Sequence, residues 1–332
     1  MKLPSFDELA QSAVVVGLPM RVRFRGITTR EALLLRGPAG WGEFAPFPEY
    51  ADDEAANWLA AGIEAAWMGP PAPLRDTVPI NATVPAVDPS RVPEVLARFD
   101  GARTAKVKVA ERGQSPDDDI ARVAAVREVI PNVRVDANGG WSVDDAVRVL
   151  SALTSDGPLE YAEQPCATVD ELVEVRRRLP HVRIAADESI RRAEDPMKVV
   201  RAGGADVAVV KVAPLGGMRA LLALSEELSE HGVPVVVSSA LDTAVGISAG
   251  LAAAAALPDL EFACGLGTGG LFVEDVAEGR VFQDGGFVVS AAEPDESRLD
   301  ELTVSVDRAN WWFERMRRCH ELLEAGSSSL FV

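Results

Sequence analysis

Three carboxylates recur at matched positions along the middle of the chain. Asp136, Glu163 and Asp187 each follow or end a short apolar run, and successive acids are about 25 residues apart. Parallel strands joined by helices produce this spacing, and each acid then lies at the C-terminal end of its strand. Three carboxylates at one edge repel one another, and a hard divalent cation with oxygen ligands relieves that repulsion. The pattern therefore predicts a metal site, which fits Mg2+ best, with Mn2+ as a possible substitute.

An alternative explanation for these acids is helix capping and loop solvation. It suffices for any one acid alone, but three acids at matched positions are harder to explain in this way. Asn138 and Glu188 lie just beyond two of the acids. They are predicted to hold the metal ligands in place without touching the ion themselves.

Lysines form a second group of candidate residues. Lys106 and Lys108 lie in one predicted strand, and the alternation of side chains turns both to the same face. Lys211 interrupts another apolar strand, where a charge is costly unless it is paired. A solvated edge strand would explain the first pair, and a structural salt bridge would explain Lys211. In a closed barrel, however, neither face of a strand meets water except near the mouth, which favours a functional role for all three.

Residues 265–270 read GLGTGG and match the dinucleotide-binding pattern GxGxxG. No helix pattern or complete βαβ unit follows them, so a dinucleotide site is not expected. The turn instead predicts backbone N–H groups for an anion, with Gly265 and Leu266 as contacts. Ser238 and Ser239, at the end of the seventh predicted strand, would add hydroxyl donors.

The elements that must position these residues follow a regular rhythm from residue 79 onward. The predicted strands are residues 79–84, 104–109, 132–137, 159–164, 182–187, 206–212, 233–238 and 260–264. Helical patterns lie between them, most clearly at residues 117–130 and 142–153. This order predicts an α/β fold with a parallel sheet. A closed barrel is favoured over a doubly wound open sheet because the eight units are evenly spaced.

The chain is predicted to have three parts. Residues 1–78 contain strand-like runs and a helix at residues 52–68, and they form an N-terminal α+β capping domain. Residues 79–270 form the barrel. Residues 271–332 are a C-terminal segment whose aromatic residues are predicted to pack back on the capping domain.

Composition limits the classes of function. The formal net charge of −18 argues against nucleic acid and against anionic membrane surfaces as partners. No apolar run approaches the roughly 20 residues that span a bilayer, and no signal peptide is evident. The three cysteines are scattered without metal-site spacing, which predicts a reducing, cytoplasmic location. Because the chain is strongly negative, an anionic substrate would have to be captured by local hydrogen-bond donors. No feature of the sequence predicts an oligomeric state.

Together these motifs resemble the enolase superfamily over nearly the whole chain. The resemblance rests on Gly-Trp-Gly-Glu43, Lys-x-Lys in the second strand, the three acids and the lysine of the sixth strand. It implies a modified (β/α)7β TIM-type barrel with a capping domain over its mouth. Asp136, Glu163 and Asp187 would bind Mg2+, Lys108 and Lys211 would flank the substrate, and Lys106 would support Lys108.

Within the superfamily, the chain is similar to the muconate-lactonising-enzyme branch and most of all to the o-succinylbenzoate synthases. Dipeptide epimerases of this branch carry Asp-x-Asp at the eighth strand, whereas residues 264–268 here read CGLGT. A small anionic carboxylate therefore suits this chain better than a cationic substrate.

The resemblance implies a carbon–oxygen lyase of menaquinone biosynthesis. The reaction would be the syn-dehydration of 2-succinyl-6-hydroxy-2,4-cyclohexadiene-1-carboxylate to 2-succinylbenzoate, through a metal-stabilised enediolate. Lys108 would be the base, Lys211 would stabilise the intermediate, and Arg134 would orient the substrate. An N-acylamino acid racemase or a cycloisomerase is the nearest alternative. An aldolase-type Schiff base on Lys211 and a non-catalytic metabolite-binding barrel are more distant ones.

Overall fold

A computed structural model of the protein describes residues 2–24, 26–191 and 195–326. Its first lobe is a three-stranded antiparallel sheet with two helices. The elements are α1 (Phe6–Ser12), β1 (Ala13–Phe24), β2 (Ile27–Gly37), β3 (Gly40–Phe44) and α2 (Asp52–Trp67). Helix α2 packs against β3 at a contact between Gly42 and Gly62. A Cβ atom at Gly42 would lie 1.9 Å from the Gly62 carbonyl oxygen, so the close approach requires glycine.

Strands and helices then alternate through the second part of the molecule. The elements are β4 (Thr77–Pro79), β5 (Ala82–Val84), α3 (Val92–Leu96), β6 (Thr104–Lys108), α4 (Pro116–Arg127), β7 (Asn132–Asp136), α5 (Val143–Ser155), β8 (Ala162–Glu163), α6 (Val169–Arg178), β9 (Ile184–Ala186), α7 (Glu188–Arg191), α8 (Lys198–Arg201), β10 (Val207–Val210), α9 (Val212–Leu215), α10 (Met218–Glu230), β11 (Val235–Val237) and α11 (Ala244–Ala256). Strands β5 to β11 lie side by side in chain order in one seven-stranded parallel sheet.

An eighth segment joins the two edges of this sheet. Cys264 forms a parallel bridge with Ile80 at one edge, and Gly265 forms one with Ser238 at the other. The two residues donate backbone hydrogen bonds of 2.7 and 2.8 Å to the strands they face. The strand predicted at residues 260–264 is thus reduced to a short bridge, but the predicted barrel of seven βα units and a final β segment is confirmed.

Local sequence explains where the barrel helices begin. Ser115 caps α4 with Pro116 in its first turn, and Ser142 caps α5. The helices predicted at residues 117–130 and 142–153 are therefore confirmed, with ends that differ by a few residues. Within the described ranges, no helix has both the length and the apolar character needed to cross a membrane.

The last elements return to both earlier parts. They are β12 (Gly286–Val288), α12 (Glu296–Leu302) and α13 (Val306–Ala325), and β12 pairs with β4. Trp312 of α13 packs edge to face on Phe44, with ring centroids 5.7 Å apart, and its indole N–H donates to Glu31. His320 Nε2 lies 2.8 Å from the carbonyl oxygen of Pro4. The final helix therefore shares one hydrophobic core with the first lobe.

Candidate active site

The three predicted acids lie at the ends of adjacent strands. Asp136 ends β7 and is in register with Glu163, which ends β8, and Asp187 directly follows β9. Each of the three residues is only 1% exposed. Because parallel strands bring their C-terminal ends to one edge, the three carboxylates share the mouth of the barrel.

Lysine ammonium groups contact these carboxylates directly. Lys106 Nζ lies 3.1 Å from Asp136 and 2.9 Å from Glu163, so it bridges the two. Lys108 Nζ lies 2.5 Å from Asp136. Lys211 Nζ lies 2.6 Å from Asp187.

The sheet order places two of these lysines on opposite sides of the barrel. Lys108 ends β6, and Lys211 directly follows β10, which is four strands away in the sheet. In a ring of eight segments, four positions apart is half the circumference. Lys108 and Lys211 therefore face each other across the mouth.

A cavity of about 40 Å3 lies between the two lysines and is shared by both parts of the molecule. Phe47 and Tyr50 line it from the first lobe. Ser238, Ser239 and Gly265 line it from the turns after the last barrel strands. A larger groove of about 1050 Å3 runs beside α10 on the outside of the barrel, and none of the candidate residues lines it. The chemistry is therefore concentrated at the small cavity.

Two predicted substrate contacts lie elsewhere. Leu266 is not in the wall of the cavity but packs against Gly250 of α11. Arg134 is fully buried in the layer beneath Asp136, where its guanidinium donates to Glu160 over 2.6 Å and to the Tyr161 hydroxyl over 3.1 Å. Arg134 shares its strand face with Asp136 but lies two residues further from the mouth. Its hydrogen bonds therefore link segments inside the barrel.

Asn138 and Glu188 lie beside the acids, where the sequence placed them. The Asn138 backbone N–H donates to Asp136 over 3.1 Å, and its side-chain oxygen accepts from Lys108 over 2.7 Å. The Asn138 amide also donates to Glu188 over 3.2 Å. Asn138 has a φ of 46°, a left-handed conformation that asparagine tolerates better than most residues.

Sequence reasoning missed Arg191 and Gln164. Arg191 donates to Asp187 over 3.0 Å from four residues further along the chain, and that spacing after an acid was the available signal. The Gln164 side-chain oxygen accepts from the backbone N–H groups of Asp187 and Ser189, each over 3.1 Å. No sequence signal separates Gln164 from an ordinary loop glutamine.

Burial and neighbouring charges shift the pKa values of these groups in opposite directions. Burial and the nearby Asp136 together raise the pKa of Glu163 to about 7, against the opposing effect of Lys106. Burial also disfavours the charged form of Asp136, yet Lys108 and Lys106 hold the pKa of that carboxyl well below its usual range. Burial disfavours a charged Lys106 in the same way, but Glu163 and Asp136 outweigh it and raise the lysine pKa.

The arrangement of the acids differs from a ready-made metal site. Within residues 2–24, 26–191 and 195–326, no three His, Cys, Asp or Glu side chains are placed to hold a metal ion as they stand. The expected ligands are neighbours, but ammonium groups lie against them. Their chemistry nevertheless fits a hard divalent cation, because three buried carboxylates offer oxygen donors and require positive charge at close range.

Comparison with known families agrees with this geometry. Residues 92–294 match the model described as "Enolase C-terminal domain-like", and residues 15–66 match "Enolase N-terminal domain-like". The chain belongs to the enolase superfamily. It is 63% identical to an o-succinylbenzoate synthase of Mycolicibacterium smegmatis, over 97% of this chain and 99% of the relative. It is 62% identical to an o-succinylbenzoate synthase of Mycobacterium ulcerans, over 96% of each chain.

Solved structures share the fold. A muconate lactonizing enzyme from Pseudomonas fluorescens, complexed with muconolactone, aligns with a TM-score of 0.76 at 24% identity, over 88% of this chain and 98% of that one. An N-succinyl Arg/Lys racemase from Bacillus cereus aligns with a TM-score of 0.74 at 18% identity, over 88% and 97%. At these identities the likeness extends to the fold alone.

Proposed function

We propose that this protein is an o-succinylbenzoate synthase, a hydro-lyase that dehydrates 2-succinyl-6-hydroxy-2,4-cyclohexadiene-1-carboxylate to 2-succinylbenzoate in menaquinone biosynthesis. The observation that carries the proposal is the identity of 62–63% with o-succinylbenzoate synthases over nearly the full length of both chains. The opposed lysines at the barrel mouth are the groups that such a reaction needs. The cytoplasm is the proposed location, and a small dianionic molecule is the proposed partner.

Lys108 is the proposed base. In its neutral form, its amine takes the proton from the carbon next to the ring carboxylate, and the C–O bond to the hydroxyl then breaks. The proton and the hydroxyl leave from the same face of the ring, so Lys108 can return the proton to the departing oxygen as water forms. The electron pair of the C–H bond becomes part of the new aromatic ring, so no oxidant is required.

Lys211 is proposed to stay protonated on the opposite face of the substrate. There its ammonium group lies near the negative charge that develops as the proton leaves, and it also presents a cation to the ring. Lys106, which bridges Asp136 and Glu163, is proposed to hold those carboxylates in place beside Lys108.

Asp136, Glu163 and Asp187 are the proposed ligands of Mg2+, with Asn138 and Glu188 supporting them. When bound, the ion would stabilise negative charge on the substrate carboxylate.

The charge at the site supports an anionic substrate. Asp136, Glu163, Asp187 and Glu188 carry four formal negative charges, and with Lys108 neutral as the base, Lys106, Lys211 and Arg191 carry three positive ones. A divalent cation would add two positive charges, which leaves the site with one net positive charge. This local excess offsets the unfavourable field of a chain with a net charge of −18.

A direct assay tests the proposal. Purified protein with Mg2+ is mixed with the cyclohexadiene substrate, and formation of 2-succinylbenzoate is followed by absorbance and mass. Rapid conversion is expected, with no racemisation of N-acylamino acids at a comparable rate. Racemisation without dehydration would instead indicate the racemase alternative.

A further inference from the structure

Arg191 joins the two parts of the molecule at the cavity. Its side chain is 2% exposed, and each of its three guanidinium nitrogens donates to a different residue. Nε donates to Asp187 over 3.0 Å, and Nη2 donates to Glu188 over 2.9 Å. Nη1 donates to the Tyr50 hydroxyl over 3.1 Å. Two of these partners belong to the barrel, and the third belongs to the first lobe.

Tyr50 is itself fixed within the lobe. Its ring packs against Phe47, with centroids 5.6 Å apart, and against Trp58 at 6.0 Å. Its backbone carbonyl accepts from Arg315 of the last helix. A shift of the Tyr50 hydroxyl therefore requires a shift of this part of the lobe, which includes Phe47 in the cavity wall.

The two oxygens of Asp187 have separate partners. Oδ1 accepts from Arg191, and Oδ2 accepts from Lys211 over 2.6 Å. Arg191 thus fixes the rotation of the carboxylate and leaves Oδ2 paired with Lys211, which lines the cavity, so that one cation can replace another at this oxygen. A planar guanidinium with three donors in use can do this, whereas an ammonium on a flexible chain cannot.

We infer that Arg191 is a positioning residue that couples cation binding at Asp187 to the docking of the lobe segment at residues 45–51. This inference rests on the cation site of the proposed function. It predicts that a bound cation orders the lobe segment. It also predicts that loss of the Arg191 guanidinium weakens cation binding, even though this loss removes a competing positive charge.

Loss of the Arg191 charge and loss of its orienting hydrogen bonds should change cation affinity in opposite directions, so the test separates the two explanations. If Arg191 acted only through its charge, Arg191→Gln would tighten cation binding, and Arg191→Lys would leave it unchanged. If Arg191 acts by orientation, both variants bind the cation more weakly, by about ten-fold or more for Arg191→Gln. Mn2+ serves as the probe, and free Mn2+ is measured by electron paramagnetic resonance without substrate.

Hydrogen–deuterium exchange of residues 45–51, with and without Mg2+, reports on the lobe. Wild type is expected to gain protection with Mg2+, and Arg191→Gln and Tyr50→Phe are expected to lose this gain. Arg148→Gln, which breaks a surface pair with Asp145, is the matched control and should behave as wild type. If Arg191→Gln does not fold, Arg191→Lys and Tyr50→Phe carry the same test.

Mn2+ affinity within three-fold of wild type in both Arg191 variants would overturn the inference, as would Mg2+-dependent protection in Tyr50→Phe. Wild-type protein that binds no Mn2+ would overturn both this inference and the proposed cation site. Wild-type protein that binds Mn2+ but does not dehydrate the cyclohexadiene would overturn only the proposed reaction, and weaker Mn2+ binding by the Arg191 variants would still support the coupling.

Discussion

At the scale of single residues, Lys108 and Lys211 have different proposed roles in the reaction, although each is paired with an aspartate. Lys108 also donates to Asn138, and it ends a regular strand, whereas Lys211 begins the turn into a short helix. The two roles are chemically distinct, because one lysine must take up a proton and then release it, while the other keeps its charge.

Replacing either lysine by alanine is expected to lower kcat by at least about 10²–10⁴-fold, the usual contribution of a positioned proton-transfer or charge-stabilising group. Far-UV circular dichroism should stay that of the wild type. Lys198→Ala, at an exposed position in α8, is the control and should retain full activity. Turnover close to wild type in Lys108→Ala or Lys211→Ala would contradict the role given to that residue.

Removal of divalent cations with EDTA should abolish the dehydration, because no divalent charge would then stabilise negative charge on the substrate carboxylate. Added Mg2+ should restore activity, and Mn2+ should substitute for it. Borohydride with substrate should leave the enzyme unmodified. Activity that persists in EDTA, together with trapping on Lys211, would support the Schiff-base alternative instead.

The residues that the sequence predicts well are those whose spacing follows the barrel repeat. Asp136, Glu163 and Asp187 stand at strand ends because a βα unit has a nearly constant length. That spacing does not encode how deep a side chain lies within the barrel. The sequence therefore predicts Arg134 at the substrate, although its side chain lies one layer below Asp136. Arg191 was missed because its role depends on Tyr50, which is distant in sequence and belongs to another part of the fold.

At the scale of elements, the contact between β3 and α2 depends on two glycines. Gly42→Ala is expected to lower the free energy of unfolding by about 1–3 kcal/mol, because its Cβ would lie 1.9 Å from the Gly62 carbonyl oxygen and the helix must move away. Urea unfolding measures the change. Gly279→Ala, where a Cβ meets no atom within 4 Å, is the control. Equal stabilities for the two variants would show that this contact is not close.

Element types were predictable because strand and helix periodicities differ, but strand lengths were not. Residues 159–164 were predicted as one strand, whereas β8 contains only Ala162 and Glu163. Apolar residues indicate burial, and buried residues continue into the turns, beyond the last backbone hydrogen bonds between strands. The eighth segment shows the same effect more strongly, since it forms a single bridge to each neighbour.

At the scale of the whole molecule, Glu43 connects the first lobe to the barrel. Its Oε2 accepts from the Thr243 backbone N–H over 3.0 Å and from the Gly246 N–H over 3.2 Å, at the start of α11. Burial and the nearby Asp242 together raise the pKa of Glu43 to about 8, against the opposing effects of Thr243 and Arg30. The Glu43 carboxyl is therefore predominantly protonated near neutral pH.

This ionisation predicts how stability depends on pH. Between pH 4.5 and about 8 the folded form holds a proton that the unfolded form releases, so stability should fall as pH rises through this window, by at most about 1.4 kcal/mol per unit. Glu43→Gln stays neutral and can keep the same acceptor, so it should be less sensitive to pH and more stable than wild type above pH 8. Urea unfolding at pH 5, 7 and 9 measures this difference. Glu301→Gln, on the exposed surface of α12, should follow the wild-type curve, and a wild-type curve as flat as that of Glu43→Gln would refute the assignment.

The pairing of Pro4 with His320, and of Phe44 with Trp312, has a consequence for biosynthesis. A ribosome delivers the lobe's opening strands first and the helix that completes their core last, after every barrel segment has emerged. The lobe strands must therefore remain partly uncovered until α13 has been synthesised. The lobe over the barrel mouth is complete only from that point.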